Sequence, residues 1–458
     1  VTAIGLRTIM LEPGAVSSNS RERRNFAALS LASAGARVIT WLKSARRRGP
    51  RFVNIALLIA GLGLGQGTIF VVQTLLVASG EYQLLAAFGT HYSFAILGII
   101  LVDAGASVIL AREVARLSAE RGPRGEVWKI FCETSAIRLF VALLIGAAAV
   151  GYAFGVAPEG FSRWYVALAL PGLFGWAVNG VGLLDGLRLS GVSGITGSAA
   201  YVATAAGLAL AAHKPDETAG VILGASFSVG YLLTLGAQWI VLGRKGWVPQ
   251  FHRLTRDGLA RSFRDGGALL FQSVPGQINM RVQLVLSTAY LGTETTALFV
   301  YAKQIVTAST QIIGFVLRVE FPGLVEKLAG VGRHNFASIL GAQKMALYCA
   351  ILLTVGIAGL SGIAAMMPDL RLNRAAVIIA SFSPTILTLS LLLMTIQALA
   401  ALGAYVVIAR TLAISSAVGL LASCLLVQVI DVYAFVAGEA ALHILGFYIV
   451  YRYLQRLA

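Results

Sequence analysis

The sequence predicts an all-α polytopic membrane protein with about twelve transmembrane helices arranged as two six-helix halves. Three observations carry this expectation: a scarcity of charge, a series of apolar runs of span length, and basic residues gathered in every second connection. Charged residues make up 12% of the 458-residue chain and hydrophobic residues 57%, whereas soluble domains are roughly 25% charged. Mean hydropathy is +0.81. A water-soluble fold so poor in charge would expose large apolar patches and associate. Lipid as the solvent removes that problem, and at about 20 residues per span the chain holds a dozen helices with short loops.

The apolar runs fall at 52–78, 83–111, 134–156, 164–186, 191–212, 219–242, 266–292, 294–321, 342–366, 375–399, 403–428 and 431–451. Each is expected to be a helix, because lipid cannot satisfy free backbone N–H and C=O groups. One set of connections holds the cations Arg46, Arg47, Arg48 and Arg51, then Arg112, Arg116, Arg121, Arg124 and Lys129, then Arg188. The same set continues with Arg244, Lys245, Arg253, Arg256, Arg261 and Arg264, with Lys327, Arg333 and Lys344, and with Arg452 and Arg456. The alternate set holds only Arg163, Lys214, Arg371 and Arg374, beside several acids. Loops rich in Lys and Arg stay cytoplasmic, which puts both termini inside and leaves short loops outside. The net charge of +16 therefore reports membrane topology, and no nucleic-acid partner is expected.

Residues 1–51 read as a basic cytoplasmic tail. Ala32-Ser33-Ala34 imitates a signal-peptidase site, but the apolar stretch from Phe26 to Leu42 is modest and a strongly basic run follows it. A helix lying on the membrane surface is the reading we take. Residues 52–242 and 266–458 form two six-helix bundles, with 243–265 as a basic cytoplasmic linker. Six is even, so both halves enter the membrane in the same sense, a recurring transporter plan with the substrate path between the halves.

Gly61, Gly63, Gly65 and Gly67 sit in the first span. They lack the strand–turn–helix context of a nucleotide loop; their spacing is small-xxx-small, which lets helices approach closely in lipid. No Walker A sequence, CxxC or Cys/His cluster occurs, so no cofactor, metal or disulfide framework is expected. Cys349 and Cys424 fall in apolar spans and Cys132 in a basic loop.

Charges inside spans are the most informative residues, since each costs on the order of 3 kcal/mol unless it meets a cavity or a partner. Arg281 in the seventh span and Lys303 in the eighth lie roughly 16 Å and roughly 13 Å deep at about 1.5 Å per residue. Each tops a polar stripe: Ser273, Gln277 and Thr288 share a face with Arg281, and Thr307 and Thr310 share one with Lys303. The pair suits either a hydrated cationic cavity for an anion such as pyrophosphate or bonding to neighbouring carbonyls; we take the first. Gln66 and Gln73, seven apart on the first helix, either line the same cavity or bond between helices. Glu439 and His443, four apart, form a proton-relay candidate or a buried structural hydrogen bond. Asp103, Glu113, Asp185 and Glu320 near cytoplasmic span ends are expected to make interfacial ion pairs with Arg112, Arg188 and Arg318. Pro171, Pro275 and Pro384 fall inside spans, where they bend helices.

Several stretches resemble the polysaccharide flippases, a branch of the multidrug/oligosaccharidyl-lipid/polysaccharide exporter superfamily. They are GLGLGQGTIFVVQ (61–73), VDAGASVILAREVARL (102–117), LGTETTALFVYAKQI (291–305) and FPGL (321–324). The resemblance implies a MATE-like, V-shaped transporter working by alternating access. Its cargo would be an oligosaccharide repeat unit on undecaprenyl pyrophosphate, moved across the bacterial inner membrane for exopolysaccharide or O-antigen synthesis. Polysaccharide polymerase or export machinery would be its partners, beside membrane lipids. Arg281 and Lys303 are where this sequence supplies the cations that would meet the pyrophosphate.

The alternative is a cation-coupled multidrug exporter of the same superfamily. Such proteins commonly carry a carboxylate in the first or seventh span, and neither span here has one. A peptidoglycan-precursor flippase would carry two further C-terminal spans. A membrane glycosyltransferase, polymerase or ligase would need sizeable outer loops and paired carboxylates, and the chain offers neither.

Overall fold

The computed structural model describes residues 50–120, 122–155, 160–329, 336–367 and 370–457. The expected surface helix between Phe26 and Leu42 lies outside the described residues. The chain divides into two compact units, Val1–Val53 and Asn54–Ala458. Only the first turn of a helix, residues 50–53, is described in the first.

All regular structure among the described residues is helical. The first set comprises α1 (Pro50–Ala78), α2 (Tyr82–Asp103), α3 (Ala106–Glu120), α4 (Arg124–Gly155), α5 (Gly160–Trp176), α6 (Val181–Gly186), α7 (Ser190–Ala211) and α8 (Asp216–Arg244). The second comprises α9 (Arg256–Tyr290), α10 (Gly292–Ala329), α11 (Phe336–Ala342), α12 (Lys344–Ala365), α13 (Leu370–Ala401), α14 (Tyr405–Ile430) and α15 (Tyr433–Leu457). Among the described residues, ten helical stretches are long and apolar enough to cross a membrane. The two expected spans missing from that count are α9 and α10. At 35 and 38 residues they are long enough, but they carry the in-span charges and polar stripes that lower their hydropathy.

Two expected spans are broken. The run 83–111 divides into α2 and α3 at Ala104 and Gly105, both with positive φ (43° and 70°). A Cβ on Gly105 would stand 2.3 Å from the Leu269 Cβ, so only glycine fits this turn. The run 164–186 divides into α5 and α6, where Asn179 Oδ1 accepts from the Val181 N–H at 3.2 Å and so serves the opening of α6. The connection between the sets is irregular only over 245–255: α9 starts within the segment read as linker, because Thr255 caps it by accepting from the Gly258 N–H at 3.2 Å. The prolines at 171, 275 and 384 lie within helices, as does Pro322.

In lipid, helices associate by close packing more than by the hydrophobic effect. Gly61 and Gly65 illustrate this: their Cα positions face Gly194 and Tyr201 of α7, where a Cβ would meet heavy atoms at 2.4 and 2.9 Å. Gly63 and Gly67 face open space. Close packing thus uses one of the two expected glycine pairs. Gly419 of α14 and Gly438 of α15 make a similar contact, each against the other's carbonyl oxygen at 2.6 Å. One core of the first set gathers Phe88, Tyr165, Phe227 and Tyr231; one core of the second gathers Phe299, Phe382 and Phe435. A third joins the sets, with Ile109 and Ala111 of α3 against Leu269 of α9, Phe321 and Leu324 of α10, and Leu399 of α13.

Candidate functional site

Among the described residues, Asp103, Arg138, Asp185, Arg318, Lys303 and Glu439 resolve into pairs, whereas Arg281 and, near the start of α14, Arg410 are exposed and take no partner. On α9, the buried positions Asn279, Gln283 and Ser287 define the packed face. Arg281 is two residues from both Asn279 and Gln283, so it points away from that face. It is exposed, and no ion pair or hydrogen bond joins it to a described residue. The Gln277 side chain lies outside the described residues.

Lys303 of α10 is only 14% exposed, and its Nζ bonds Glu439 Oε1 of α15. His443, one turn further along α15, bonds Thr388 Oγ1 of α13 through Nδ1 at 2.8 Å. Glu439 and His443 thus each take a partner on another helix, and the four side chains tie α10, α13 and α15 together. Gln66 is exposed on α1 beside the Tyr201 hydroxyl, and Gln73 is half-buried on the same helix.

Between the two helix sets lies a cavity of about 620 Å³. Its polar lining is Asp103, Ser107, Asp185, Gln272, Arg318 and Gln397. The Oε1 atoms of Gln272 and Gln397 are buried there without a protein partner. Arg318 of α10 grips Asp185 of α6 with two bonds, Nε to Oδ2 at 2.7 Å and Nη2 to Oδ1 at 3.1 Å, and Nη2 also reaches Ser193 Oγ at 2.7 Å. Further contacts join the sets at the same, basic end. Arg188 pairs with Glu326, and Arg112 Nε donates to the Ala401 carbonyl at 2.9 Å.

The interfacial acids find partners different from the expected ones in three cases. Glu113 pairs with Arg112, as expected, and also with Arg116, but Asp185 pairs with Arg318 rather than with Arg188 beside it in sequence, and Arg188 takes Glu326. Asp103 instead binds Arg138 of α4, Oδ1 to Nη2 at 2.7 Å. Arg138 is fully buried and also donates to Ser107 Oγ at 3.2 Å. Glu320 accepts from the backbone N–H groups of Met345 and Ala346, both at 3.1 Å, at the start of α12. A helix N-terminus offers free donors and a positive dipole end to this carboxylate. Arg138 is the residue that sequence reasoning missed. The available signal was a lone arginine inside an otherwise uncharged run, the same signal that singled out Arg281.

Among the described residues no group of three His, Cys, Asp or Glu side chains is placed to hold a metal ion. Cys132, Cys349 and Cys424 are free thiols.

These features define a multi-pass membrane protein whose two helix sets meet around a polar cavity, and solved structures share the fold. A MATE transporter crystallised in its straight conformation aligns with a TM-score of 0.67 at 16% identity, covering 90% of this chain and 97% of its own. So does an outward-facing multidrug resistance MATE transporter of the MOP superfamily, with the same TM-score, identity and coverage. A MOP superfamily transporter from Pyrococcus furiosus, described as having reversed polarity in its binding pocket, aligns with a TM-score of 0.62 at 16% identity and the same coverage. No protein of curated function matches the sequence. Residues 53–327 match the family described as polysaccharide biosynthesis protein, and the chain belongs to that family.

Proposed function

We propose that this protein flips an oligosaccharide repeat unit, carried on undecaprenyl pyrophosphate, across the bacterial inner membrane by alternating access. The observation that carries the reading is Arg281, an exposed cation, unpaired among the described residues, about nine residues, or ~14 Å, from the far end of α9. An unpaired charge at that depth is tolerated where it meets water or an anion. Family membership supports a polysaccharide-related cargo. With the basic end cytoplasmic, the contacts of Arg318, Arg188 and Arg112 close the inner side, as one state of an alternating-access cycle requires. Lys303 is the second cation of the site, held in reserve by Glu439. Protonation of Glu439, with His443 one turn away, would release Lys303 toward the cargo and is the candidate coupling step. Gln66, Gln73 and Gln277 would line the path.

The fold is shared with multidrug exporters, which makes drug export the second reading. A cationic drug would meet Arg281 and be repelled. The test deletes the gene and measures how much lipid-linked oligosaccharide a periplasmic enzyme reaches, then repeats the measurement with Arg281→Gln. That variant leaves the Lys303–Glu439 pair intact. Inner-leaflet accumulation in both strains, with normal amounts of the variant protein in the membrane, is the expected result. Accumulation in the deletion alone would remove Arg281 from the site. Normal display in a deletion that also lacks any redundant transporter would shift the assignment to drug export.

A further inference from the structure

We propose that Arg318 is a second anion-binding residue, at the basic end, and that the phosphate groups of the cargo open the inner side by taking Arg318 from Asp185. The proposal rests on the reading of the cargo as a pyrophosphate-bearing lipid. Arg318 faces the cavity between the helix sets, with 32% of its side chain exposed, while its partner Asp185 is 9% exposed. Its bonds to Asp185 and Ser193 run through Nε and Nη2, so Nη1 is not engaged in that pairing. A guanidinium presents the same planar fork to a carboxylate and to a phosphate. A phosphate can therefore replace Asp185 bond for bond, while bringing more negative charge and more acceptor oxygens.

The exchange leaves neither partner stranded. Asp185 keeps a share of the Ser193 hydroxyl, which reaches Oδ1 at 3.1 Å and the Ser190 carbonyl at 2.9 Å, and the widening cleft admits water to it. Asp185 belongs to α6 and Arg318 to α10, so their separation breaks the least exposed ion pair holding the two sets together. The other charged contacts at that end are weaker, and what remains beside them is the apolar core of Ile109 and Ala111 against Leu269, Phe321 and Leu324. Arg188–Glu326 is 49% and 33% exposed, and such pairs are worth about 0–1 kcal/mol. Arg112 holds a single carbonyl. The cation that recognises the cargo is then the same one that holds the entrance shut, and only an anion of adequate charge opens it.

The experiment uses the full chain in sealed vesicles, with Cys132, Cys349 and Cys424 replaced by serine and Ala400→Cys introduced. Ala400 lines the cavity and is 5% exposed. A membrane-impermeant maleimide is added on the basic side and its rate of reaction measured. Inorganic pyrophosphate, or separately undecaprenyl pyrophosphate in the bilayer, should speed labelling on the order of ten-fold, the worth of one charge-assisted hydrogen bond. A response to the lipid alone would make the lipid-borne group the trigger, and a response to both would make the headgroup sufficient. Asp185→Asn should label fast without either anion. Arg318→Gln should label fast and respond to neither, with Arg318→Lys as the variant that keeps the charge but loses the fork. Unchanged labelling of the parent protein with both anions, or an equal response in Arg318→Gln, would overturn the proposal. Transport of lipid-linked oligosaccharide, measured in parallel, separates the two claims: an anion-responsive entrance without such transport would reject the flippase reading alone, and transport without an anion response would reject the exchange alone.

Discussion

Arg138 offers the sharpest test of how charge is held inside this fold. It is fully buried, its Nη2 lies 2.7 Å from Asp103 Oδ1, and its Nε has no partner. Its other contacts are neutral: Ser107 Oγ at 3.2 Å and the Asn179 carbonyl at 3.4 Å. Asp103 therefore supplies the countercharge, and Asp103→Ala leaves a fully buried guanidinium without one. Removing one partner of a buried pair typically costs ~3–5 kcal/mol, whereas replacing both by apolar groups is often neutral. The double variant Asp103→Ala/Arg138→Met should thus recover most of the loss, although a single substitution is normally less harmful than two. The assay is thermal unfolding of the detergent-solubilised protein, followed by size-exclusion of a fluorescent fusion. An Asp103→Ala variant that melts with the parent, or a double variant no better than the single, would refute this reasoning. Asp103 also faces the cavity. Asp103→Asn with parental stability and lost export would move it from the framework to the transport path.

Two further substitutions test packing and capping. Gly61→Val drives a side chain into the Gly194 carbonyl, 2.4 Å from the Cβ position, and should cost ~1–3 kcal/mol; Gly63→Ala, which meets open space, should fall within about 0.5 kcal/mol of the parent. Melting temperatures of the two proteins compared side by side check this, and equal losses would contradict the assigned helix face. Glu320→Ala removes the acceptor for the Met345 and Ala346 N–H groups and should cost about 0.5–2 kcal/mol. Glu320→Gln keeps an acceptor oxygen and should lose less in the same measurement.

The helices were legible in the sequence because a continuous apolar run of span length can satisfy its own backbone in lipid only as a helix. The breaks at Ala104–Gly105 and at Asn179–Gly180 were not, since hydropathy continues through them. What stops the helices there is tertiary: Leu269 crowding Gly105, and Asn179 turning to serve the start of α6. The identity of the charged residues was also legible, but their pairing was not. Asp103 and Arg138 are 35 residues apart, Asp185 and Arg318 133, and Lys303 and Glu439 136. Helical spacing suggested a contact between Glu439 and His443, yet a cation from α10 and a hydroxyl from α13 are the partners each one bonds. Periodicity reports which residues share a face and says nothing of what that face meets.

The charge balance inside the spans bears on what the protein carries. Asp103, Asp185 and Glu439 are each already bonded to a cation, Arg138, Arg318 and Lys303 respectively. Each pair is neutral, and each carboxylate is engaged before any cargo arrives. A cationic drug would need one of those carboxylates freed, which strands an arginine or lysine in low dielectric at a cost of several kcal/mol. An anionic cargo needs no such sacrifice to meet Arg281. Arg281 is exposed and unpaired among the described residues, and Arg318 and Lys303 become available by exchanging or neutralising a carboxylate, a step that the incoming negative charge itself favours. The same argument fixes the order of events in the proposed cycle. Arg318 at the basic end would meet the anion first, and Arg281 and Lys303, deeper in the membrane, would hold it once the entrance has closed behind it.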